Sequence, residues 1–140
     1  MRIVLAADGS KFTKKALAFL AANESLCGPA DKLAVINVQY PIPPRVRSAV
    51  GAAVVNSYHQ DEAAKVLGPI EKLLARKDLD WTCEWRVGDP AQQIVQAAHK
   101  HKAHMIVMGT HGYGALGRAV LGSVAQRVLH DADVPVLLVK

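Results

Sequence analysis

The residues best suited to hold a ligand lie near the C-terminus of this 140-residue chain. An apolar run ends at Met108 and is followed by a glycine-rich stretch from Gly109 to Gly112. Nine residues then separate Gly112 from Gly122 and Ser123, which precede an amphipathic segment. A strand that enters a glycine loop and then a helix presents bare backbone N–H groups and a helix N-terminus. The spacing therefore predicts a site for an anion such as phosphate.

Two shorter motifs overlap this stretch, but neither has the residues and flanking elements that its function requires. Gly112, Gly114 and Gly117 match a dinucleotide fingerprint, but they do not follow their strand directly and no acidic residue ends the next strand. The same stretch nearly forms a P-loop, yet Arg118 and Ala119 replace the required Lys and Ser or Thr. We expect neither motif to operate, although the Arg118 guanidinium could reach a phosphate as readily as it could lie in solvent.

The elements that position this loop alternate between strands and helices along the chain. Strands are predicted at 2–7, 33–38, 81–87, 104–108 and 136–139, and helices at about 11–26, 63–74, 90–101 and 122–130. Ser10 and Asp89 have the residue types of helix N-caps. Pro69 predicts a kink or a late start in the second helix. Three prolines in residues 40–57 predict a mobile loop there.

Alternating strands and helices predict one doubly wound α/β domain, a five-stranded parallel sheet in the order 3-2-1-4-5 with helices on both faces. In that winding the chain turns back between the first and fourth strands, and ligands bind at the carboxyl ends there. Those ends carry Asp8-Gly9-Ser10 and the stretch from Gly109 to Gly112. The two polar loops are therefore expected to lie side by side.

Composition narrows the classes of partner and location. The formal net charge is +5, but the basic residues are dispersed and few aromatic residues could stack on bases, so a nucleic-acid partner is not expected. Cys27 and Cys83 stand alone, without metal or redox spacing. No apolar run has the length of a membrane span, and the N-terminal run is too short for a signal peptide. These features predict a soluble cytoplasmic protein.

The longer glycine spacing, Gly109-x2-Gly112-x9-Gly122-Ser123, resembles the nucleotide-binding signature of the universal stress protein family. The resemblance extends to Asp8-Gly9-Ser10 after the first strand, to Gly88-Asp89-Pro90 before the third helix and to 134–139 at the closing strand. It covers residues 1–140 as one domain, apart from about 40–60.

Membership of the ATP-binding class would imply a flavodoxin-like fold, similar to adenine nucleotide alpha hydrolases, with ATP, or AMP or ADP, at the switch point. Asp8 would contact the ribose or adenine side and could hold Mg²⁺ through water. The backbone of Val38 would meet the adenine edge, and Met108 and Gly109 would line the base and ribose. The phosphates would be held by the backbone N–H groups of His111, Gly112, Gly122, Ser123 and Val124, with the Ser123 hydroxyl helping. The resemblance also implies a homodimer formed by antiparallel pairing of the last strand, 136–139.

The function expected from this resemblance is a nucleotide-dependent regulator or sensor in the stress response. No nucleophile pair and no positioned general base is evident, so we assign no catalytic residue and no metal ligand set. Two alternatives stay open: a slow ATP hydrolase on the same fold, and a dimeric interaction module without nucleotide. We further hypothesise that occupancy of the site changes residues 40–60 and that partners detect this change.

Overall fold

A parallel β-sheet forms the centre of the molecule. In the computed structural model, which describes residues 1–112 and 121–140, the strands are β1 (Arg2–Ala6), β2 (Lys32–Gln39), β3 (Asp80–Val87), β4 (Met105–Gly109) and β5 (Val136–Val139). They lie in the order β3-β2-β1-β4-β5, and each pair of neighbours is parallel. The doubly wound α/β fold and the strand order predicted from the sequence are confirmed.

Helices cover both faces of the sheet. The described helices are α1 (Lys11–Ala22), α2 (Pro44–Val50), α3 (Ala52–Leu74), α4 (Pro90–Lys100) and α5 (Ser123–Asp131). Successive residues of a strand point to opposite faces, so Ile3 and Leu5 of β1 pack with α1 and α3, whereas Val4 packs with α4 and α5. Each face of the central strands is therefore buried against its own pair of helices.

At the carboxyl edge of the sheet, α1 begins shortly after β1 and α4 shortly after β3, and the start of α5 lies beside the end of β4. Ser10 caps α1 by accepting a hydrogen bond from the Thr13 N–H, and Asp89 caps α4 by accepting one from the Gln92 N–H at 3.0 Å. Both predicted N-caps are confirmed. The N-termini of α1, α4 and α5 consequently surround the edge where the sequence predicts a ligand.

The prediction of a loop over residues 40–57 is wrong. Pro44 occupies the first turn of α2, where a proline lacks no needed donor. Gly51, at φ 88°, separates α2 from α3 in a conformation that favours glycine. The prolines thus start a helix here, and only a single glycine interrupts the helical path.

Two helix boundaries also differ from prediction. The first helix ends at Ala22 instead of about Leu26, where the Asn23 N–H donates to the Leu20 carbonyl. The late start expected from Pro69 is wrong because α3 begins at Ala52 and contains Pro69. Within the described residues, no helix combines the length and the apolar character needed to cross a bilayer.

Candidate functional site

A cavity of about 550 Å³ opens at the carboxyl edge, between the ends of β1, β2 and β4 and the starts of α4 and α5. The structure brings all nine sequence-predicted site residues into its lining: Asp8, Val38, Met108, Gly109, His111, Gly112, Gly122, Ser123 and Val124. Residues far apart in the sequence therefore share one wall, at the switch point that the winding predicts. Arg118, with Gly114 and Gly117, lies outside the described residues.

One end of the cavity is formed by the N-terminus of α5. Gly122 is the N-cap residue and supplies no side-chain cap, so the first-turn N–H groups of Ser123 and Val124 have no intrahelical acceptor. The helix dipole adds positive potential at the same place. The Gly122 N–H itself donates to the Thr110 carbonyl at 2.8 Å. Because this N–H already has the Thr110 carbonyl as its acceptor, the role that remains for Gly122 is to avoid a side chain in the crowded space beside Thr110 and His111.

The three motif glycines lie where a side chain would overlap or crowd another part of the site. A Cβ atom at Gly112 would lie 2.7 Å from Oδ2 of Asp8, and one at Gly122 would lie 3.3 Å from the Thr110 oxygen. A Cβ at Gly109 would overlap the Cβ of Phe12 in α1. The glycines thus permit close approach of backbone to backbone, and they keep the floor of the cavity open.

Asp8 stands opposite Gly112, as the predicted winding requires. Its Oδ1 accepts hydrogen bonds from the Ser10 N–H at 2.9 Å and from the Thr13 hydroxyl at 2.8 Å. Its other oxygen, Oδ2, lies against Gly112, since a Cβ on that glycine would be only 2.7 Å from it. The carboxylate is therefore held in one orientation by the start of α1, between that helix and the glycine loop in the cavity lining.

Thr110 is a supporting residue that sequence reasoning missed. It is buried, its N–H donates to the Val139 carbonyl at 3.0 Å, and its own carbonyl accepts from Gly122. Its hydroxyl lies 2.9 Å from Nδ1 of His111, whose ring packs on Phe12 with centroids 5.2 Å apart. Thr110 connects β5, the glycine loop and α5, and nothing in the sequence beyond its place between Gly109 and His111 could have indicated this.

The opposite end of the cavity is formed by β2, which extends past the end of β1. The Gln39 carbonyl accepts from the Gly88 N–H on the β3 side, so the preceding residue, Val38, turns its backbone groups toward β1. The β1 ladder stops at Ala6. Among the described residues, no strand partner reaches the N–H and C=O of Val38. A donor and an acceptor in line suit the edge of a nucleobase.

Asn37 explains why Val38 stays open. The carbonyl of Ala7 would be the next acceptor along the β1 edge, but it accepts from Nδ2 of Asn37 at 3.0 Å. Asn37 is 3% exposed, so this bond fixes the end of β1 in a dry environment. In the sequence, this role of Asn37 is indicated by the presence of an amide residue within the apolar run of β2.

A buried polar chain continues from Asn37 to α3. The side-chain amide of Gln39 donates to the His59 carbonyl at 2.8 Å, and its oxygen lies 2.6 Å from Nδ1 of His59. The His59 ring is buried and stacks on Trp85, with centroids 5.9 Å apart. This chain, Asn37–Gln39–His59, connects the base of α3 to the edge of the cavity.

The wall opposite β2 is the start of α4, joined to its neighbours by ion pairs. Asp89 pairs with Arg127 of α5 at 2.6 Å, and hydrogen bonds from the Gln92 N–H and Arg127 lower the pKa of Asp89. Pro90 and Ile94 present apolar surface to the cavity. One end of the site is therefore lined by backbone N–H groups and attracts anions, and the other end is apolar. Together the two ends fit a ligand with a phosphate and a flat ring.

The fold is a doubly wound α/β architecture with a cavity at its switch point, which is where ligands bind in this class of protein. Within that class the relationship of this chain is specific. The sequence profile of the universal stress protein family matches residues 1–140. The chain belongs to the universal stress protein family.

Individual proteins similar to this chain are also universal stress proteins. A universal stress protein of Thermus aquaticus is 36% identical over 145 residues, covering 99% of this chain and 97% of its own length. Universal stress protein MJ0531 of Methanocaldococcus jannaschii is 39% identical over 87 residues, covering 62% of this chain and 51% of its own length.

Solved structures show the same architecture. The structure of protein MJ0577 superposes with a TM-score of 0.82 at 26% identity, covering 99% of this chain and 94% of that one. A universal stress protein in complex with cAMP superposes with a TM-score of 0.67 at 26% identity, covering 100% and 97%. A member of this family with the same fold therefore binds an adenine nucleotide.

Proposed function

We propose that this protein is an ATP-binding universal stress protein that acts in the cytoplasm as a nucleotide-dependent regulator or sensor. The observation that carries the proposal is the cavity itself, where nine residues chosen from the sequence converge on about 550 Å³. Its α5 end suits phosphates and its β2 end suits a base. The cAMP complex of a related protein supports an adenine nucleotide as the class of ligand. The free thiols of Cys27 and Cys83 are consistent with a reducing compartment.

The first test identifies the ligand without any assumption about its chemistry. Protein purified without added nucleotide is denatured, and the released small molecules are identified by mass spectrometry. Calorimetry of the emptied protein then ranks ATP, ADP, AMP and cAMP, each with and without Mg²⁺. We expect ATP among the tight ligands, with Asp8 contributing to any gain from Mg²⁺. Absence of binding by every nucleotide would refute the proposal and favour an interaction module.

The second test places a negative charge where the phosphates would lie. Ser123 is exposed at the first position of α5, so Ser123→Glu should fold normally because a carboxylate suits a helix N-terminus. Repulsion from that carboxylate should weaken ATP binding by at least about 100-fold. Ser123→Gln is the control, since it has nearly the same size without the charge, and should weaken binding about tenfold or less. Equal affinities of the two variants would exclude the α5 N-terminus as the phosphate site.

The regulatory part of the proposal concerns residues 40–60, which form α2 and the start of α3. Within the described residues, no side chain of α2 is buried, and α3 first reaches the core at His59. The Gln39–His59 hydrogen bonds connect that point to the strand that lines the cavity. Ligand binding at Val38 would then alter the stability of α2 and the first turns of α3. Limited proteolysis should cut residues 40–58 at different rates with and without ATP, and equal rates would argue against this route.

We also propose a homodimer paired through β5. The carbonyls of Pro135 and Val139 accept from Ile106 in β4 and from Thr110 just after it, so Val136 and Leu138 turn their backbone groups outward, along an apolar edge that no described strand covers. The other edge, β3, carries charged residues such as Asp80, Glu84 and Arg86, which discourage pairing. Strand pairing should protect the Val136 and Leu138 N–H groups from hydrogen exchange, and dilution should remove that protection. Fast exchange at high protein concentration would contradict this interface.

Slow ATP hydrolysis is the enzymatic alternative. Steady turnover by the purified protein that disappears in Asp8→Ala would support it over a purely regulatory role. Asp8 would be the residue to test first, because its carboxylate is already oriented toward the cavity.

A further inference from the structure

Tyr40 is a large aromatic residue at the rim of the cavity that no motif identifies. It follows β2 directly and lines the cavity beside Val38, yet 69% of its surface is exposed. Among the large hydrophobic side chains exposed in the described part of the chain, it is the most open. An exposed aromatic ring beside an apolar cavity end has unused surface that a flat ligand could cover.

The backbone on both sides of Tyr40 is restrained, so the ring is held at the rim. On one side, the Gln39 carbonyl accepts from the Gly88 N–H at 2.9 Å, and the Gln39 side chain is fixed by His59. On the other side, Pro41 confines Tyr40 to extended backbone conformations. The backbone of Tyr40 is therefore positioned by the fold before any ligand arrives, so that binding has to fix only the rotation of its side chain.

The surroundings of the ring match a nucleobase and not a phosphate. The described lining at this end consists of apolar side chains from β2, α4 and β4, namely Ile36, Val38, Pro90, Ile94 and Met108. The anion-seeking N-terminus of α5 lies at the other end. A base whose edge meets the Val38 backbone would present one of its faces to this rim.

A neighbouring charge agrees with this placement. The pKa of Arg127 is raised chiefly by its hydrogen bond to Asp89, and Tyr40 contributes to the same rise. Tyr40 therefore lies within electrostatic range of the Asp89–Arg127 pair at the start of α4, on the same side of the cavity.

We propose that Tyr40 is a ligand-contacting residue that stacks on the face of the bound base and closes that end of the cavity. The inference rests on the proposed nucleotide-binding function and names the residue that would favour ligands with an aromatic base over phosphates alone. Stacking requires only a π-face, so the contribution of Tyr40 is to affinity for nucleobases in general, while the backbone of Val38 reads the edge.

The experiment separates the base from the phosphates. Calorimetry measures ATP, AMP and tripolyphosphate binding to the wild type and to Tyr40→Ala, Tyr40→Phe and Tyr58→Ala. Tyr58 is the matched control, since it is also an exposed tyrosine (48%) but lies on α3 outside the described lining of the cavity. Exposure of Tyr40 makes a folding defect unexpected, and circular dichroism of each variant verifies this.

Tyr40→Ala should weaken ATP and AMP by the same factor, about tenfold or more, and leave tripolyphosphate binding unchanged. Tyr40→Phe and Tyr58→Ala should bind all three ligands as the wild type does. An unchanged ATP affinity in Tyr40→Ala would overturn the inference, as would an equal loss for tripolyphosphate or an equal loss in Tyr40→Phe. A wild type that binds neither ATP nor AMP would instead overturn the proposed function on which the inference rests.

Discussion

The two ends of the cavity are built from different materials. The α5 end is made of glycines and backbone N–H groups; a side chain at Gly109 or Gly112 would collide with its surroundings, and one at Gly122 would be in tight contact with them. The β2 end is made of ordinary side chains, held in place by the buried amide of Asn37 and by the Gln39–His59 hydrogen bonds. The α5 end depends on the absence of side chains, whereas the β2 end depends on the hydrogen bonds that side chains donate and accept.

This difference predicts different consequences of mutation. At the α5 end, adding atoms should do the damage because the space is already filled by neighbouring backbone. At the β2 end, removing atoms should do the damage because a buried polar group loses its partner. Three substitutions test the contrast, and their expected effects decrease in the order given.

Gly109→Ala should have the largest effect. Its new Cβ would overlap the Cβ of Phe12, which cannot move away without shifting α1 relative to β4. Overpacking of this kind costs about 1–3 kcal/mol of unfolding free energy. We expect the value from urea unfolding near the upper end of that range, because the colliding atom of Phe12 is next to its backbone.

Gly68→Ala is the matched control for that substitution, and its cost should be much smaller. Gly68 lies within α3, and apart from its own helix and its two chain neighbours no described atom lies within 4 Å of the position of its missing Cβ. Alanine gains about 0.5–1 kcal/mol over glycine in a helix interior, but a Cβ before Pro69 disfavours the helical conformation, so the net change should lie within about 1 kcal/mol of zero. Equal stabilities of the two variants would show that steric crowding does not explain why glycine is required at Gly109.

Asn37→Ala should have the next largest effect. It removes the donor to the Ala7 carbonyl in a site that is 3% exposed, and an unsatisfied buried carbonyl costs about 1–3 kcal/mol. We expect about 2 kcal/mol by urea unfolding. Asn23→Ala is the control, because the Asn23 amide also donates to a carbonyl, that of Phe19, but in an exposed position. A cost for Asn23→Ala as large as that for Asn37→Ala would mean that burial does not set the energy.

The contrast also explains what could be predicted from the sequence. The fold followed from alternating elements, since apolar strands such as 33–38 and capped helices such as that after Asp89 carry local signals. The α5 end was predicted because the glycine spacing itself indicates a loop that binds an anion such as phosphate. The β2 end was recognised only at Val38 and Met108, because Tyr40, Asn37 and Gln39 gain their roles from where β1 stops. That register is a tertiary property, and no local pattern encodes it.

Residues 40–57 were mispredicted for a related reason. Prolines were read as breakers, although Pro44 lies in the first turn of α2, where its missing N–H costs nothing. Local composition could not distinguish a proline that ends a helix from one that begins it. Only the positive φ of Gly51 shows where the helical path is interrupted.

The smallest expected effect concerns pH and the ion pairs that join β3 to the C-terminal end of α4. Glu84 of β3 pairs with Lys100 of α4 at 3.0 Å and lies 2.7 Å from Nε2 of His101. Burial raises the pKa of Glu84, but the hydrogen bonds from His101 and Lys100 and the charge of Arg86 outweigh it, so the pKa is lowered overall. A lowered carboxyl pKa contributes stability that is complete above the unfolded-state pKa and is lost as the pH falls through the folded-state pKa.

Unfolding free energy should therefore fall on acidification below about pH 4.5, and part of that slope should vanish in Glu84→Gln. The part due to Glu84 should be below about 1 kcal/mol, because solvent screens a partly exposed ion pair. Urea unfolding at several pH values between 3.5 and 6 measures both slopes. Parallel slopes in wild type and variant would show that the ion pairs of Glu84 with Lys100 and His101 do not contribute to stability.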